Sequence, residues 1–200
     1  DLRRFVPSRA VGGFFTQMPM FHYGGSPLAY ACYFGAKDVV STMLGDERMG
    51  LIVDLNGGPE GADCCPISGF TALHSAIASG TTEMVRFLLD LPNLGRGTRN
   101  LKRADLSVLT NAVMPLGNSP PRPQTTALQL SFLLGDAKMT EFLIHERAKV
   151  LWQWGRLMQL SIPLKEVDSG ARGRTHDVMH LLQAVTPRWQ TRWHAWFSCA

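Results

Sequence analysis

A pattern that recurs three times constrains the fold of this 200-residue chain more than any other feature. Each copy has a hydroxyl residue, then apolar and small residues, a glycine, and a second apolar run. The hydroxyl residues are Ser26, Thr71 and Thr126, and the glycines are Gly35, Gly80 and Gly135. Repeated units of this size bury their apolar faces against their neighbours, so the pattern predicts a solenoid.

Each copy predicts two helices joined by a tight turn. The hydroxyl oxygen of Ser26, Thr71 or Thr126 can cap the first helix, and Pro27 stands at a first helical position that needs no N–H. Glycine accepts the positive φ of the turn that ends this helix. Small residues that allow close helix approach are Ala31, Ala76 and Ser131. The apolar stripe of the second helices comprises Val40, Leu44, Val85, Leu88, Leu89, Leu143 and Ile144.

The segment from Thr71 to Ala76 resembles the ankyrin pattern T-P-L-H-x-A, and the other two copies match it less closely. The resemblance implies a mostly α fold, an ankyrin-repeat solenoid of about three helix-turn-helix repeats with long finger loops. We expect this domain to span residues 1–148, with repeats at about 24–45, 69–91 and 124–147. In it, His74 would hydrogen-bond to the neighbouring turn.

Long inserts separate the copies, because their hydroxyl residues lie 45 and 55 positions apart instead of about 33. The inserts are rich in Gly, Pro, Asn and Arg, as in 56–61 and 117–123, which predicts exposed fingers. A short helix is possible within 101–113. Basic residues between Arg96 and Arg103 fit a solvated finger, with acidic protein, lipid headgroups or nucleic acid as alternative contacts.

Residues 149–200 are expected to form a linker with a small β-hairpin, followed by C-terminal helices. Two apolar runs, 150–155 and 161–164, can pair as strands, and 177–185 is typical of a helix. The final aromatic run has two alternative explanations. It is an amphipathic stretch at a membrane interface or against another part of the protein, or a helix separated from its packing partner by truncation.

The order of these features resembles the cytosolic region of vanilloid-type TRP cation channels. Gly12–Phe15 and Phe21–Gly24, leading into Ser26–Cys32, are similar to that family's aromatic finger and the repeat after it. The segment from Trp152 to Asp168 is similar to the linker after its last repeat, and Trp189 to Phe197 falls where the family has a helix before its first transmembrane segment. Trp154-Gly155 departs from the family's Tyr-Gly pair, and the serine-tyrosine pair that follows it is missing.

The resemblance implies a calcium-permeable channel whose pore lies beyond Ala200, with this segment on the cytoplasmic side of the membrane. Its role would be assembly and regulation through protein–protein contacts, with neighbouring subunits of a homo- or hetero-tetramer as partners. The expected subunit interface comprises Phe14, Phe15, Phe21, Tyr23, Trp152 and Trp154. The expected membrane-proximal residues are Trp189, Arg192, Trp193 and Trp196. The alternative is a soluble ankyrin scaffold or adaptor with no channel.

Composition predicts a folded, soluble globular protein. A content of 45% hydrophobic and 18% charged residues is that of a globular chain, and the net charge of +4 falls short of a nucleic-acid-binding composition. No apolar run is long enough to span a bilayer. Because the sequence starts without Met and ends in a tryptophan-rich run, we expect it to be a piece of a longer polypeptide. Three repeats are near the minimum for a stable solenoid and the first lacks a polar capping repeat, so we expect further repeats upstream. The four cysteines are expected to be reduced thiols.

No motif predicts a catalytic residue, a cofactor or a metal. His176 and His180 share a helix face, but Asp177 breaks the H-E-x-x-H pattern and no third ligand is evident. Gly95-Arg96-Gly97 lacks the rest of a phosphate-binding loop. The adjacent Cys64 and Cys65 lie in an acidic segment, which raises thiol pKa and argues against a redox role. We therefore expect this chain not to be an enzyme.

Overall fold

The computed structural model describes residues 26–44, 55–56, 69–91, 104–108, 110, 124–163, 167 and 178. These residues contain six helices and one two-stranded antiparallel sheet. The helices are α1 (Pro27–Tyr33), α2 (Lys37–Leu44), α3 (Ala72–Ala78), α4 (Thr82–Asp90), α5 (Ala127–Leu133) and α6 (Ala137–Arg147). The strands are β1 (Lys149–Trp154) and β2 (Leu157–Ser161).

The helices form three consecutive pairs stacked in chain order. Each first helix contacts the second helix of its own pair, and α3 packs between α1 and α5. The first helices therefore make a continuous layer that joins the pairs. This arrangement confirms the predicted mostly α solenoid of helix-turn-helix repeats.

Each first helix begins at its predicted hydroxyl residue. The Oγ of Ser26 accepts the N–H of Ala29 at 3.2 Å, and the Oγ1 of Thr71 accepts the N–H of His74 at 3.4 Å. Thr126 makes a full capping box with Gln129, whose side-chain oxygen accepts the N–H of Thr126 at 2.9 Å. Local side-chain chemistry thus sets all three helix starts.

The three predicted glycines end these helices in the same way. Gly35, Gly80 and Gly135 have φ of 68°, 74° and 69°. In the third pair, the N–H of Gly135 donates to the carbonyl of Phe132 at 3.0 Å, and the N–H of Asp136 donates to that of Ser131 at 3.1 Å. These two hydrogen bonds form a Schellman motif, which satisfies the last carbonyls of the helix and reverses the chain into the second helix.

The core lies between the helix layers, where the predicted apolar stripe is buried. Of the residues assigned to it, only Ile144 is partly buried, and it still packs against the core. The small residues Ala31, Ala76 and Ser131 are buried as expected. Each fully buried leucine contributes about 1.5–3 kcal/mol relative to an exposed one, so the second helices supply much of the stability of the stack.

The base of the second finger is a turn, and the short helix expected within 101–113 is absent from its described residues, 104–108 and 110. Asp105 causes this: its Oδ1 accepts the N–H and the hydroxyl of Ser107, both at 2.8 Å. Such a side-chain turn competes with helix formation. The N–H of Asp105 also donates to Oδ1 of Asn56 at 2.8 Å, joining the bases of the two fingers.

Two hydrogen bonds join Thr110, within the second finger, to Thr125 at the end of that finger. The N–H of Thr110 donates to the carbonyl of Thr125 at 2.8 Å, and the N–H of Thr125 donates to Oγ1 of Thr110 at 2.9 Å. The tips of both predicted fingers lie outside the described residues, as do the C-terminal helices apart from Val178, which is helical and buried. The domain boundary between residues 148 and 149 stays a prediction.

Candidate protein-interaction surface

A β-hairpin follows directly after α6 and forms the most apolar exposed surface of the described residues. Gly155, with φ 57°, and Arg156 make a two-residue turn between β1 and β2. This turn folds Leu157–Ser161 back onto β1, so the second strand precedes the expected 161–164 and shares only Ser161 with it. The short turn explains the difference, because pairing can start immediately after a glycine that accepts positive φ.

The register gives the two faces of the hairpin different side chains. Trp154 pairs with Leu157, and Trp152 pairs with Gln159, so these four residues share one face. The indole N–H of Trp152 donates to Oε1 of Gln159 on that face. The opposite face carries Val150, Met158, Leu160 and Gln153. The register shifts between Val150 and Trp152, which leaves Leu151 as an extra residue in a bulge.

Every residue of the hairpin is exposed on both faces. Trp154 is 80% exposed and Leu157 is 64% exposed. Lys149 and Arg156 are the hairpin's charged residues, and it contains no acidic residue. Soluble domains seldom leave large apolar side chains contiguous and uncovered, and an isolated two-stranded hairpin is marginally stable in water. These properties are typical of a surface that another polypeptide covers.

The structure brings two of the predicted interface residues together, since Trp152 and Trp154 lie on the same face of β1. The other predicted interface residues, Phe14, Phe15, Phe21 and Tyr23, lie outside the described residues. So do the predicted membrane-proximal residues Trp189, Arg192, Trp193 and Trp196. Their roles stay predictions.

A second exposed element, missed at the sequence level, lies at the end of the first-helix layer. Phe34 is 52% exposed, although its ring stacks on Tyr30 at 6.0 Å and meets Tyr33 edge-on at 5.3 Å between ring centroids. The equivalent residues of the next repeats, Ser79 and Leu134, are partly buried. The sequence signal for this exposed residue was an aromatic side chain immediately before the turn glycine, because that position lies at the end of the first helix.

His74 is a structural residue of the second repeat. It is fully buried, and its Nδ1 lies 2.8 Å from Oγ1 of Thr71. Burial lowers the pKa of His74 to about 4, and the nearby backbone of Thr125 opposes this shift, although the buried Nε2 has no hydrogen-bond partner among the described residues. The imidazole therefore lies near the neighbouring turn, and its hydrogen bond within the described residues is with Thr71. A neutral, buried imidazole of this kind stabilises the junction between repeats and is poorly suited to acid–base chemistry near neutral pH.

Three further observations concern the described residues. Burial raises the pKa of the Cys32 thiol to about 12, which makes this cysteine unreactive. Within the described ranges there is no group of three or more His, Cys, Asp or Glu side chains that could hold a metal ion. The helices in these ranges are all too short or too polar to cross a membrane.

Comparison with known proteins supports the repeat assignment. Residues 13–96 match the family described as Ankyrin repeats (3 copies), which covers less than half of the chain. No curated protein matches the chain. The third helix pair lies beyond the matched range but has the same cap, turn and stacking as the first two. The helix pairs of this chain are therefore similar to ankyrin repeats, a family of protein–protein interaction modules.

Proposed function

We propose that this chain is the cytosolic assembly and regulatory module of a vanilloid-type, calcium-permeable TRP cation channel. In this proposal it lies on the cytoplasmic side of a membrane and contacts neighbouring subunits of a tetramer. The partners are proteins, and neither nucleic acid nor a cofactor takes part. The pore belongs to the parent chain beyond Ala200.

The observation that carries the proposal is the exposed hairpin immediately after the third repeat. Trp152 and Trp154 project from one face, with Leu157 beside them. Large apolar and aromatic side chains of this kind act as anchors when a partner removes them from water. The aromatic finger and linker that resemble the channel family supply the second support, because their order along the chain matches that family.

The parent transcript beyond the codon for Ala200 tests the channel directly. Six apolar helices with a pore loop support the proposal. A stop codon, or additional ankyrin repeats, overturns it. The result of this test does not depend on how the present chain folds.

The interface is tested separately by Trp154→Ala and Trp152→Ala in the parent chain. Because Trp154 is 80% exposed, its truncation should leave the repeats folded while weakening subunit association. Anchor residues of this type contribute about 2 kcal/mol or more to an interface, so cross-linked tetramer should fall clearly below wild type. Val39→Ala is the matched control, since Val39 is also exposed but lies on α2 of the first repeat. Equal cross-linking in all three variants would show that the hairpin is not part of the interface.

The repeats alone support a second candidate, a soluble ankyrin scaffold or adaptor. Solenoids bind partners through finger tips and along one face. The exposed Phe34 at the end of the first-helix layer is the described residue that favours this function. A polar capping repeat downstream, without apolar spans, is the result that distinguishes the scaffold from the channel.

A further inference from the structure

We infer that the outer edge of β2 pairs with the same edge of a second copy, forming an antiparallel four-stranded sheet across a two-fold axis. This inference does not rest on the channel proposal, because a soluble scaffold carrying the same hairpin would pair in the same way. It uses the strand edge, whereas the proposed subunit interface uses the tryptophan side chains.

The two edges of the hairpin differ in their capacity to accept another strand. β1 contains the bulge at Leu151 and begins with Lys149, two features that interrupt or protect a strand edge. β2 has the sequence Leu-Met-Gln-Leu-Ser, with no charge and no proline, and the register shift places its extra residue on β1. β2 therefore presents the regular edge.

The backbone groups available on that edge follow from the register. Trp154 and Leu157 close a two-residue turn, so they form a hydrogen-bonded pair. Bonding alternates along an antiparallel ladder. The N–H and C=O groups of Met158 and Leu160 consequently point away from β1. No described residue outside the hairpin bonds to these backbone groups, so another strand can satisfy them.

A second copy fits this edge because β2 is self-complementary when it runs antiparallel to itself. With Gln159 on the axis, Met158 of one copy lies opposite Leu160 of the other, and Val150 extends the same aliphatic face in both copies. No like charges meet, which removes the usual obstacle to self-pairing. Each Gln159 already accepts from Trp152, and its amide N–H groups remain to donate to its symmetry mate.

The geometry also limits this sheet to two copies of the hairpin. Once the two β2 edges have joined, both outer edges of the four-stranded sheet are β1. The bulge at Leu151 and the charge of Lys149 disfavour further pairing there. A sheet of four strands is also more stable than an isolated hairpin.

A charge-swap experiment tests the pairing because Gln159 would face itself only in a two-fold dimer. The full chain is measured by sedimentation velocity over the micromolar range as wild type, Gln159→Lys and Gln159→Glu. Like charges directly opposite each other should raise the dimer Kd by about fivefold in each variant. A mixture of the two variants should recover a Kd within about twofold of wild type, since the opposite charges then pair.

Gln153→Lys is the matched control, because it adds the same charge to the same hairpin on β1, away from the β2 edge. It should leave the Kd unchanged. Met158→Pro provides a second test: it removes an outward N–H and no hydrogen bond within the hairpin, so it should abolish the dimer. The far-UV circular dichroism spectrum of each variant reports whether the helices remain folded.

A wild-type chain that stays monomeric throughout the concentration range overturns the inference. Association that tolerates both Met158→Pro and the Gln159 charges also overturns it, because the contact then lies elsewhere. Recovery of the dimer only in the mixture of Lys and Glu variants supports it. The channel proposal is tested by the downstream sequence and by the Trp variants, so its failure can be distinguished from failure of the β2 pairing.

Discussion

Protonation of His74 is expected to weaken the junction between the second and third repeats. The side chain is fully buried, contacts Thr71 through Nδ1, and lies close enough to the backbone of Thr125 in the next repeat for that backbone to influence its pKa. Burial lowers its pKa from the ordinary 6.5 to about 4. The folded protein therefore binds this proton less readily than the unfolded chain does, and acid favours unfolding.

The size of the effect follows from the two pKa values. Above pH 6.5 the imidazole is neutral in both states, and His74 adds no pH dependence. Between pH 6.5 and about 4 the unfolded chain gains the proton first, so the free energy of unfolding falls with pH. The full shift corresponds to about 3 kcal/mol, of which about 2 kcal/mol is lost by about pH 5.

Urea unfolding at about pH 7.5 and about pH 5, followed by far-UV circular dichroism, measures this loss. His74→Gln is the control, because Gln129 occupies the equivalent position of the third repeat and its Oε1 accepts the N–H of Thr126 at 2.9 Å. Glutamine does not titrate. The wild type should lose about 2 kcal/mol more than His74→Gln between the two pH values.

The sequence contains six histidines, so wild-type pH dependence alone does not isolate His74. The difference between wild type and His74→Gln does isolate it. Equal losses in the two proteins would show that His74 either remains neutral in the unfolded chain or titrates normally in the folded one. Normal titration in the folded protein refutes the assignment of this histidine as a buried neutral residue, and the pKa of His74 in the folded protein, measured by NMR, separates the two explanations.

Three further predictions concern the repeats. Gly80→Ala should lower the free energy of unfolding by about 1–2 kcal/mol, because φ is 74° and the new Cβ would lie 3.3 Å from Oδ2 of Asp136; Gly155→Ala, which meets no atom within 4 Å, should cost less in the same urea titration. Thr126→Ala should cost about 1 kcal/mol by loss of the helix cap, also measured in urea. Cys32 should react with a thiol reagent only as fast as the protein unfolds, as followed by mass spectrometry, because burial raises its pKa to about 12; rapid labelling of the native protein contradicts its burial.

The helix pairs could be predicted from sequence because their boundaries depend on local chemistry. A side-chain oxygen at Thr126 starts α5 within three residues, and Gly135 ends it through bonds to Phe132 and the adjacent turn. The apolar stripe then decides which side is buried. None of these features requires contacts between residues distant in the chain, so a repeated pattern was sufficient.

The short helix predicted within 101–113 is not formed by the described residues 104–108 and 110, because the local sequence is compatible with both a helix and a turn. Apolar residues within 101–113 are compatible with a helix, but the carboxylate of Asp105 binds the N–H and hydroxyl of Ser107 and holds a turn. The N–H of Asp105 also donates to Oδ1 of Asn56, 49 positions earlier in the chain, a second contact that holds this segment in place. Neighbouring sequence alone does not reveal such a partner.

The hairpin shows why the candidate site was only partly predictable. Alternation of apolar residues near Trp152 and Trp154 indicated a strand, but strand pairing depends on the turn, and the Gly155-Arg156 turn placed β2 at Leu157–Ser161. The bulge at Leu151 then fixed which side chains share a face. Sequence alone could not predict that both faces are exposed, because the same apolar sequence is equally compatible with a buried strand. The hairpin is therefore where sequence pattern and fold disagree about burial, and such disagreement is expected where a surface serves a partner more than the stability of its own chain.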